Sequence, residues 1–97
     1  MSIGIEQLEN IQNAQVPFIL LDLCEQTKRL AHQLLRNAIP VAAEQVAPLV
    51  KEREVPMGYP IVLVCETGTV SLAVAHELEK LEFMNIFVLD GGIGALT

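Results

Sequence analysis

"VLVCETGTVSLAVAHEL", residues 62–78, passes from a β-branched apolar run through a cysteine and a polar turn into a helical pattern. The apolar run favours a buried strand that ends at Cys65. In α/β sheets, ligands collect at the carboxyl ends of strands, where loops lead into helix N-termini. The stretch therefore predicts a strand–loop–helix unit that carries a cysteine at the position where such domains place their sites.

The same change of hydrophobic period recurs on both sides of this unit. Apolar runs predict strands at VPFILLDLC (16–24), AIPV (38–41, very short), IVLVC (61–65) and NIFVLD (85–90). Helical patterns occur at IEQLENIQNA (5–14), EQTKRLAHQLL (25–35), AAEQVAPLVKERE (42–54) and VSLAVAHELEKLEF (70–83). Strands that alternate with helices imply parallel pairing. We therefore expect a three-layer α/β/α fold with a central, mostly parallel sheet of four or five strands.

Two helices carry more detailed expectations. Pro48 fits the third predicted helix only near its first turn or at a kink, because proline lacks a backbone N–H. In the last helix, the apolar stripe is expected to consist of Leu72, Ala75, Leu78 and Leu81.

Composition limits the class of protein. The 97 residues, 52% of them hydrophobic and 19% charged, predict one globular domain over residues 1–97. Twelve acidic against six basic residues give a net charge of −6, which argues against binding nucleic acid. The sequence has neither an apolar run of the roughly 20 residues that a membrane span requires nor a signal-peptide pattern at its start. We therefore expect a cytoplasmic protein with no membrane association.

The predicted strand ends bring several functional side chains to one edge of the sheet. Asp22 and Cys24 end one strand, Cys65 ends another, and Asp90 is followed by Gly91 and Gly92. In the turn after Cys65, Gly68 permits positive φ, so that backbone N–H groups can surround an anion at the start of the helix. A thiolate held there would have a lowered pKa and act as a nucleophile. The alternative is that Cys65 is a small apolar core residue.

The ordered series of motifs resembles the rhodanese-like domain. PIVLVCETGTVSLAVAHELEKLEFMNIFVLDGGIGAL (60–96) is similar to its C-terminal half, in which a strand delivers the active-site cysteine and a glycine follows three residues later. Upstream, FILLDLC (18–24) and AHQLLRNAIPV (31–41) match the early strand and the stretch that usually carries a histidine. The segment HQLLRN (32–37) lacks the usual Pro-Gly, which leaves the alignment of His32 open. The resemblance covers nearly the whole chain.

The resemblance implies a sulfurtransferase-like sulfur carrier that forms a persulfide on Cys65 and needs no cofactor or metal. Its partners would be a sulfur donor and a thiol or protein acceptor. The loop residues around the sulfur would be Glu66, Thr67, Gly68, Thr69 and Val70. Ser71 stands where a phosphatase relative would have arginine, which argues against phosphatase activity. Hydroxyls of Thr67, Thr69 and Ser71 would either contact bound sulfur or cap the helix, with the cap favoured for Ser71.

The departures from the family pattern leave two functions open. The loop has Glu66 and no Arg or Lys, and Cys24 replaces a usual arginine. A carboxylate within about 6 Å of the sulfur would repel a dianionic donor by about 1 kcal/mol, so that thiosulfate should be a poor substrate. Either the protein is a sulfur carrier that uses other donors, or it is a catalytically inactive binding or regulatory module.

Asp22 and Cys24 also have alternative roles. Asp22 either orients loop N–H groups or caps the next helix. In the family's sheet one strand is expected to separate Cys24 from Cys65, which places the two about 10 Å apart, too far for a disulfide without loop movement. Cys24 then either resolves an oxidised Cys65 or fills the core, and both cysteines are expected to be free thiols. Neither forms a metal-ligand spacing.

Overall fold

The computed structural model describes residues 2–24 and 38–92. Its strands are β1 Ser2–Ile3, β2 Ile19–Asp22, β3 Ile39–Pro40, β4 Ile61–Val64 and β5 Ile86–Leu89. Its helices are α1 Ile5–Asn13, α2 Val46–Glu52 and α3 Thr69–Lys80, and a 3₁₀ turn, Ala43–Gln45, leads into α2. The helix predicted at 25–35, which includes His32, lies outside the described residues, as does the segment after Gly92.

The strands form one parallel sheet in the order β1-β5-β4-β2-β3. In the centre, Asp22 is in register with Val64 and Leu63 with Val88. All four residues of β4 are buried, as expected for an apolar run covered on both faces. The predicted α/β class and strand number are therefore confirmed.

Helices cover both faces of the sheet. On one face, Val46 and Val50 of α2 and Leu78 of α3 pack with Leu21 and Leu63. On the other face, Leu8 of α1 packs with a second apolar group that includes Ile3, Leu20, Cys24, Val62, Val64 and Leu89. The arrangement is a three-layer α/β/α sandwich, and its central strand contributes to both cores.

The prediction for the inward face of α3 was wrong in part. The buried residues are Ser71, Val74, Ala75 and Leu78, whereas Leu72 is 49% exposed. A strict three-residue spacing drifts around a helix with 3.6 residues per turn, and the observed set follows the i, i+3, i+4, i+7 pattern. Pro48 is the third residue of α2, within the first turn, as predicted.

The sequence patterns did not predict β1. This two-residue strand pairs Ser2 with Val88 and Ile3 with Leu89 at the edge of the sheet. Two residues are too few to show a hydrophobic period, so that pairing with β5 defines the strand.

Candidate active site at the carboxyl edge of the sheet

The strand order brings the predicted site residues together. Since β5, β4 and β2 are neighbours and parallel, their carboxyl ends, at Asp90, Cys65 and Asp22, lie along one edge. The helix that follows β4, α3, begins at this same edge. The structure thus gathers at this edge the residues that the sequence singled out.

The sulfur of Cys65 lies at the N-terminus of α3. Gly68, the N-cap residue, has φ of 92°, a left-handed conformation that favours glycine. Its N–H donates to Cys65 Sγ at 3.0 Å, and the N–H of Ser71 donates to the same sulfur at 3.4 Å. Gly68 offers no side-chain cap, so the sulfur satisfies N–H groups that a capping side chain would otherwise bind.

These donors favour the ionised sulfur. Burial disfavours the thiolate of Cys65, but the nearby Ser71 hydroxyl and hydrogen bonds from the backbone N–H groups of Ser71, Gly68 and Thr67 outweigh it. The net effect lowers the pKa of Cys65 below its ordinary value. The site can therefore hold an anionic sulfur without a basic side chain.

Ser71 occupies a different environment from the other hydroxyl residues of the loop. Its side chain is fully buried, and its Oγ has no hydrogen-bond partner of ordinary geometry within residues 2–24 and 38–92. The sequence favoured Ser71 as the helix cap, but Ser71 is the third residue of α3 and the N-cap residue is Gly68. Thr67 and Thr69 are exposed, and their hydroxyls pair with each other at 3.1 Å. The hydroxyl that lowers the pKa of Cys65 is thus that of Ser71.

The turn after β5 packs against the backbone of the loop that follows Cys65. Gly91 and Gly92 have φ of 76° and 64°. A Cβ on Gly92 would overlap the carbonyl of Cys65 and come within 2.5 Å of the Glu66 carbonyl. Only a glycine permits this close approach, so Gly92 has a structural role beneath the loop. Asp90, by contrast, is exposed.

Asp22 organises the end of β2. Its side chain is buried, and Oδ1 accepts the N–H of Cys24 at 2.9 Å. Burial, a hydrogen bond from the Cys24 thiol to Asp22, and the nearby negative charges of Asp22, Cys65 and Glu66 raise the pKa of Cys24 to about 12. Cys24 is consequently a protonated thiol at neutral pH.

The expected separation of the two cysteines by an intervening strand was wrong. The strand β2 pairs directly with β4, and the N–H of Leu23 donates to the Val64 carbonyl at 2.7 Å. Cys24 nevertheless packs in the core on the α1 side, whereas α3, which binds the Cys65 sulfur, covers the opposite face. The cysteines are neighbours along the edge, Cys24 belongs to the core on the α1 side, and both are free thiols.

Cys65 is almost fully buried, and its loop carries no positive charge. Cys65 is only 2% exposed. Among residues 65–71 the one charged side chain is Glu66, which is half-buried. Val70, 45% exposed, lies in the first turn of α3. The loop itself therefore offers a bound donor no positive charge.

Metal-binding and membrane-spanning features are absent from the part of the chain that the structure describes. No group of three or more His, Cys, Asp or Glu residues there has the geometry to hold a metal ion. His76 is exposed on α3. No helix in the described ranges combines the length and apolarity needed to cross a membrane.

Comparison with known proteins identifies similar domains. A family model described as the rhodanese-like domain matches residues 5–97. A rhodanese homologue from the extreme thermophile Thermus thermophilus is 23% identical with a TM-score of 0.70, and the match covers 98% of this chain and 99% of that one. A rhodanese-like domain protein from Staphylococcus aureus is 19% identical with a TM-score of 0.80, covering 99% and 90%. No curated protein sequence matches the chain.

A larger redox protein contains a similar domain. An NAD-dependent persulfide reductase from A. fulgidus is 20% identical with a TM-score of 0.70, and the match covers 99% of this chain but 16% of the reductase. At these identities, the structural matches establish a shared fold.

Proposed function

Because the chain belongs to the rhodanese-like domain family, we propose that it carries sulfane sulfur as a persulfide on Cys65. The observation that carries the proposal is the pair of N–H groups, from Gly68 and Ser71, that donate to Cys65 Sγ at 3.0 and 3.4 Å. They lower the pKa of the thiol, so that a nucleophilic thiolate is available. The A. fulgidus reductase is named for acting on persulfides, which supports the same class of chemistry here.

The proposed cycle has two displacement steps. The Cys65 thiolate attacks the outer sulfur of a donor R–S–SH, which forms the persulfide Cys65–S–SH and releases R–S⁻. An acceptor thiolate then attacks the outer sulfur of the persulfide, forms a new persulfide and regenerates the Cys65 thiolate. No external oxidant or reductant is required, since the sulfane sulfur is exchanged between thiols.

The loop residues have distinct roles in this proposal. The N–H groups of Gly68 and Ser71 and the Ser71 hydroxyl stabilise negative charge on Cys65 and on its persulfide. Glu66, Thr67, Thr69 and Val70 form the wall of the loop that the outer sulfur and the donor contact. Asp22 and Cys24 support the adjacent strand end without touching the substrate.

Charge selects the donor class. Glu66 follows Cys65 in the chain and the loop has no cation, so a dianion such as thiosulfate is disfavoured, by about 1 kcal/mol for a carboxylate about 6 Å from the sulfur. An organic persulfide or a persulfide on a protein cysteine brings less negative charge to Cys65 than thiosulfate does. Persulfides of this kind are therefore the proposed donors, and a small thiol or a protein thiol is the acceptor.

The test is persulfide formation on intact protein. Wild type, Cys65→Ser and Cys24→Ser are incubated with glutathione persulfide or with thiosulfate, and sulfur addition is read by mass spectrometry. A cyanide-coupled assay measures transfer of that sulfur. We expect wild type and Cys24→Ser to gain one sulfur atom from the persulfide, with thiosulfate markedly slower. Wild type that gains no more sulfur than Cys65→Ser from either donor would refute the proposal.

A second function is favoured by the 2% exposure of Cys65 together with its cation-free loop. These features suit a domain that has kept the fold while serving as a binding or regulatory module. In that case Cys65 acts as a structural acceptor for the N-terminus of α3. Inert behaviour with both donors, combined with destabilisation by Cys65→Ala, is the result expected from this alternative.

A further inference from the structure

A groove of about 760 Å³ opens at the amino end of β5, the opposite end of the strand from the cysteine edge. Its walls come from the end of α3, the connection to β5 and the turn that precedes β4. The half-buried Phe87 and the buried Phe83 line the groove, Met57 and Met84 flank it, and Glu79 and Glu82 provide carboxylates. We refer to it as the methionine groove.

Hydrogen bonds connect the walls of the methionine groove. The N–H of Met84 donates to the Met57 carbonyl at 2.9 Å, and Asn85 Nδ2 donates to the Gly58 carbonyl. The N–H of Ile61 in turn donates to the Asn85 carbonyl at 2.9 Å. The turn and the connection are thus tied to each other and to β4, so a ligand meets a preformed surface.

The groove presents apolar and acidic groups together. Met84 is 73% exposed and Met57 is 46% exposed, although methionine is usually buried. Glu79 and Glu82 are exposed at the same place, and no lysine or arginine of the described residues lines the groove. Flexible, polarisable methionine side chains adapt to apolar partners. The carboxylates attract positive charge, as does the overall charge of −6.

We propose that the methionine groove binds a short basic amphipathic segment of a partner protein. The apolar side chains of the segment contact Met57, Met84 and Phe87, and its Lys or Arg side chains pair with Glu79 and Glu82. Such helix-in-groove recognition joins apolar anchors with flanking charges of the opposite sign. The inference rests on the groove alone and does not depend on the chemistry at Cys65.

The position of the groove suits a docking role. The four residues of β5 span about 13 Å between the groove and the cysteine edge. A partner segment bound at the amino end of β5 would leave the cysteine edge uncovered. The partner would hold the domain by one end while the other end stays available to a second molecule.

The test uses two fluorescein-labelled synthetic peptides and the full 97-residue chain. One peptide places leucine and lysine at helical spacing, and the other has glutamate in place of lysine. Fluorescence anisotropy measures their affinity for wild type, Met84→Thr and Glu79→Gln. Leu72→Thr and Glu77→Gln are matched controls, because both residues are exposed on α3 and neither lines the groove.

We expect the lysine peptide to bind wild type and to lose affinity about fivefold or more with Met84→Thr. Glu79→Gln should weaken binding and reduce its salt dependence, while the controls bind as wild type does. Since Met84 is largely exposed, Met84→Thr should retain the wild-type melting temperature. Equal binding of both peptides, or equal losses in Met84→Thr and Leu72→Thr, would overturn the proposal. So would a dimer of the chain, seen by sedimentation, that Met84→Thr dissociates, since the occupant would then be a second copy.

Discussion

At the scale of single residues, Cys65 serves both the fold and the site. Its sulfur accepts N–H groups of Gly68 and Ser71 at the start of a helix that lacks a capping side chain. Those contacts stabilise the first turn of α3 and also favour a thiolate. A cysteine at the junction of strand and helix is therefore explained by packing, capping and charge together.

The Ser71 hydroxyl is expected to contribute to ionisation of Cys65. Ser71→Ala removes a buried donor that favours the thiolate, so the pKa of Cys65 should rise. The rate of alkylation by iodoacetamide should then fall severalfold at neutral pH, and its pH profile should shift upward. Both are measured in a Cys24→Ser background, so that only one thiol reacts.

Thr69→Ala is the matched control for Ser71→Ala. In the wild type, Thr69 is exposed and its hydroxyl pairs with that of Thr67 rather than with the sulfur. The pH profile of Thr69→Ala should coincide with that of the parent protein. A Ser71→Ala profile that also coincides with it would show that the hydroxyl does not act on Cys65.

Cys24 makes folding sensitive to alkaline pH. Its folded pKa is about 12, against an ordinary value of 9.0, so above pH 9 the unfolded chain releases a proton that the folded protein keeps. The free energy of unfolding is therefore unaffected by this group below pH 9 and should fall as pH rises from 9 towards 12. Urea unfolding at pH 7 and pH 10 measures the loss. For Cys24→Ala, the free energy of unfolding should fall less between pH 7 and pH 10 than it does for the wild type. An equal fall would show that Cys24 is not the group responsible.

At the scale of elements, the cysteine loop depends on the turn that follows another strand. Gly92, after β5, lies against the carbonyls of Cys65 and Glu66, which follow β4. The two segments are far apart in sequence, and the pairing of β4 with β5 brings them together. The shape of the loop is thus set by two strands and not by its own residues alone.

Gly92→Ala should therefore disturb the loop as well as the turn. The added methyl group would overlap the loop backbone at a residue with φ of 64°, and we expect a cost of about 1–3 kcal/mol in the free energy of unfolding. Reactivity of Cys65 should fall with it. Urea denaturation and iodoacetamide alkylation measure the two effects.

Gly58→Ala provides the comparison. A Cβ there would meet only Met84 Cε at 3.8 Å, an ordinary contact. The free energy of unfolding should change by less than about 0.5 kcal/mol. The reactivity of Cys65 should stay close to that of the wild type. If the two alanine variants behave alike, the close approach of Gly92 does not matter to the loop.

At the scale of the whole molecule, two cores share one sheet. The larger lies beneath α2 and α3, and the smaller lies beneath α1, where Leu8 is the one fully buried residue of the helix. The strand β4 contributes Leu63 to one core and Val62 and Val64 to the other. Disruption of either core should therefore destabilise the other, so that the two unfold together.

Leu8→Ala tests this coupling. Removal of a fully buried leucine should lower the free energy of unfolding by about 2–5 kcal/mol. Circular dichroism should still show a single transition, since the sheet joins the two cores. Glu9→Ala, at an exposed position of the same helix, should change stability by less than about 0.5 kcal/mol. Separate transitions for the helices on the two faces would contradict the coupling.

Local patterns in the sequence determined which segments become strands and helices, because burial imposes a hydrophobic period on each segment. The apolar run before Cys65 predicted β4, the proline in AAEQVAPLVKERE was correctly placed in a first turn, and the residues at three strand ends were correctly expected at one edge. The α/β class follows from those elements and their alternation.

Tertiary structure alone decided what depends on partners far away in the chain. Direct pairing of β2 with β4 placed Cys24 beside the cysteine edge, and the packing of α3 turned Ser71 inward and Leu72 outward. Pairing with β5 created β1, and the turn after β5 shaped the loop through Gly92. A local sequence pattern encodes whether a residue is buried, but which residues it meets is settled only when all the layers pack together.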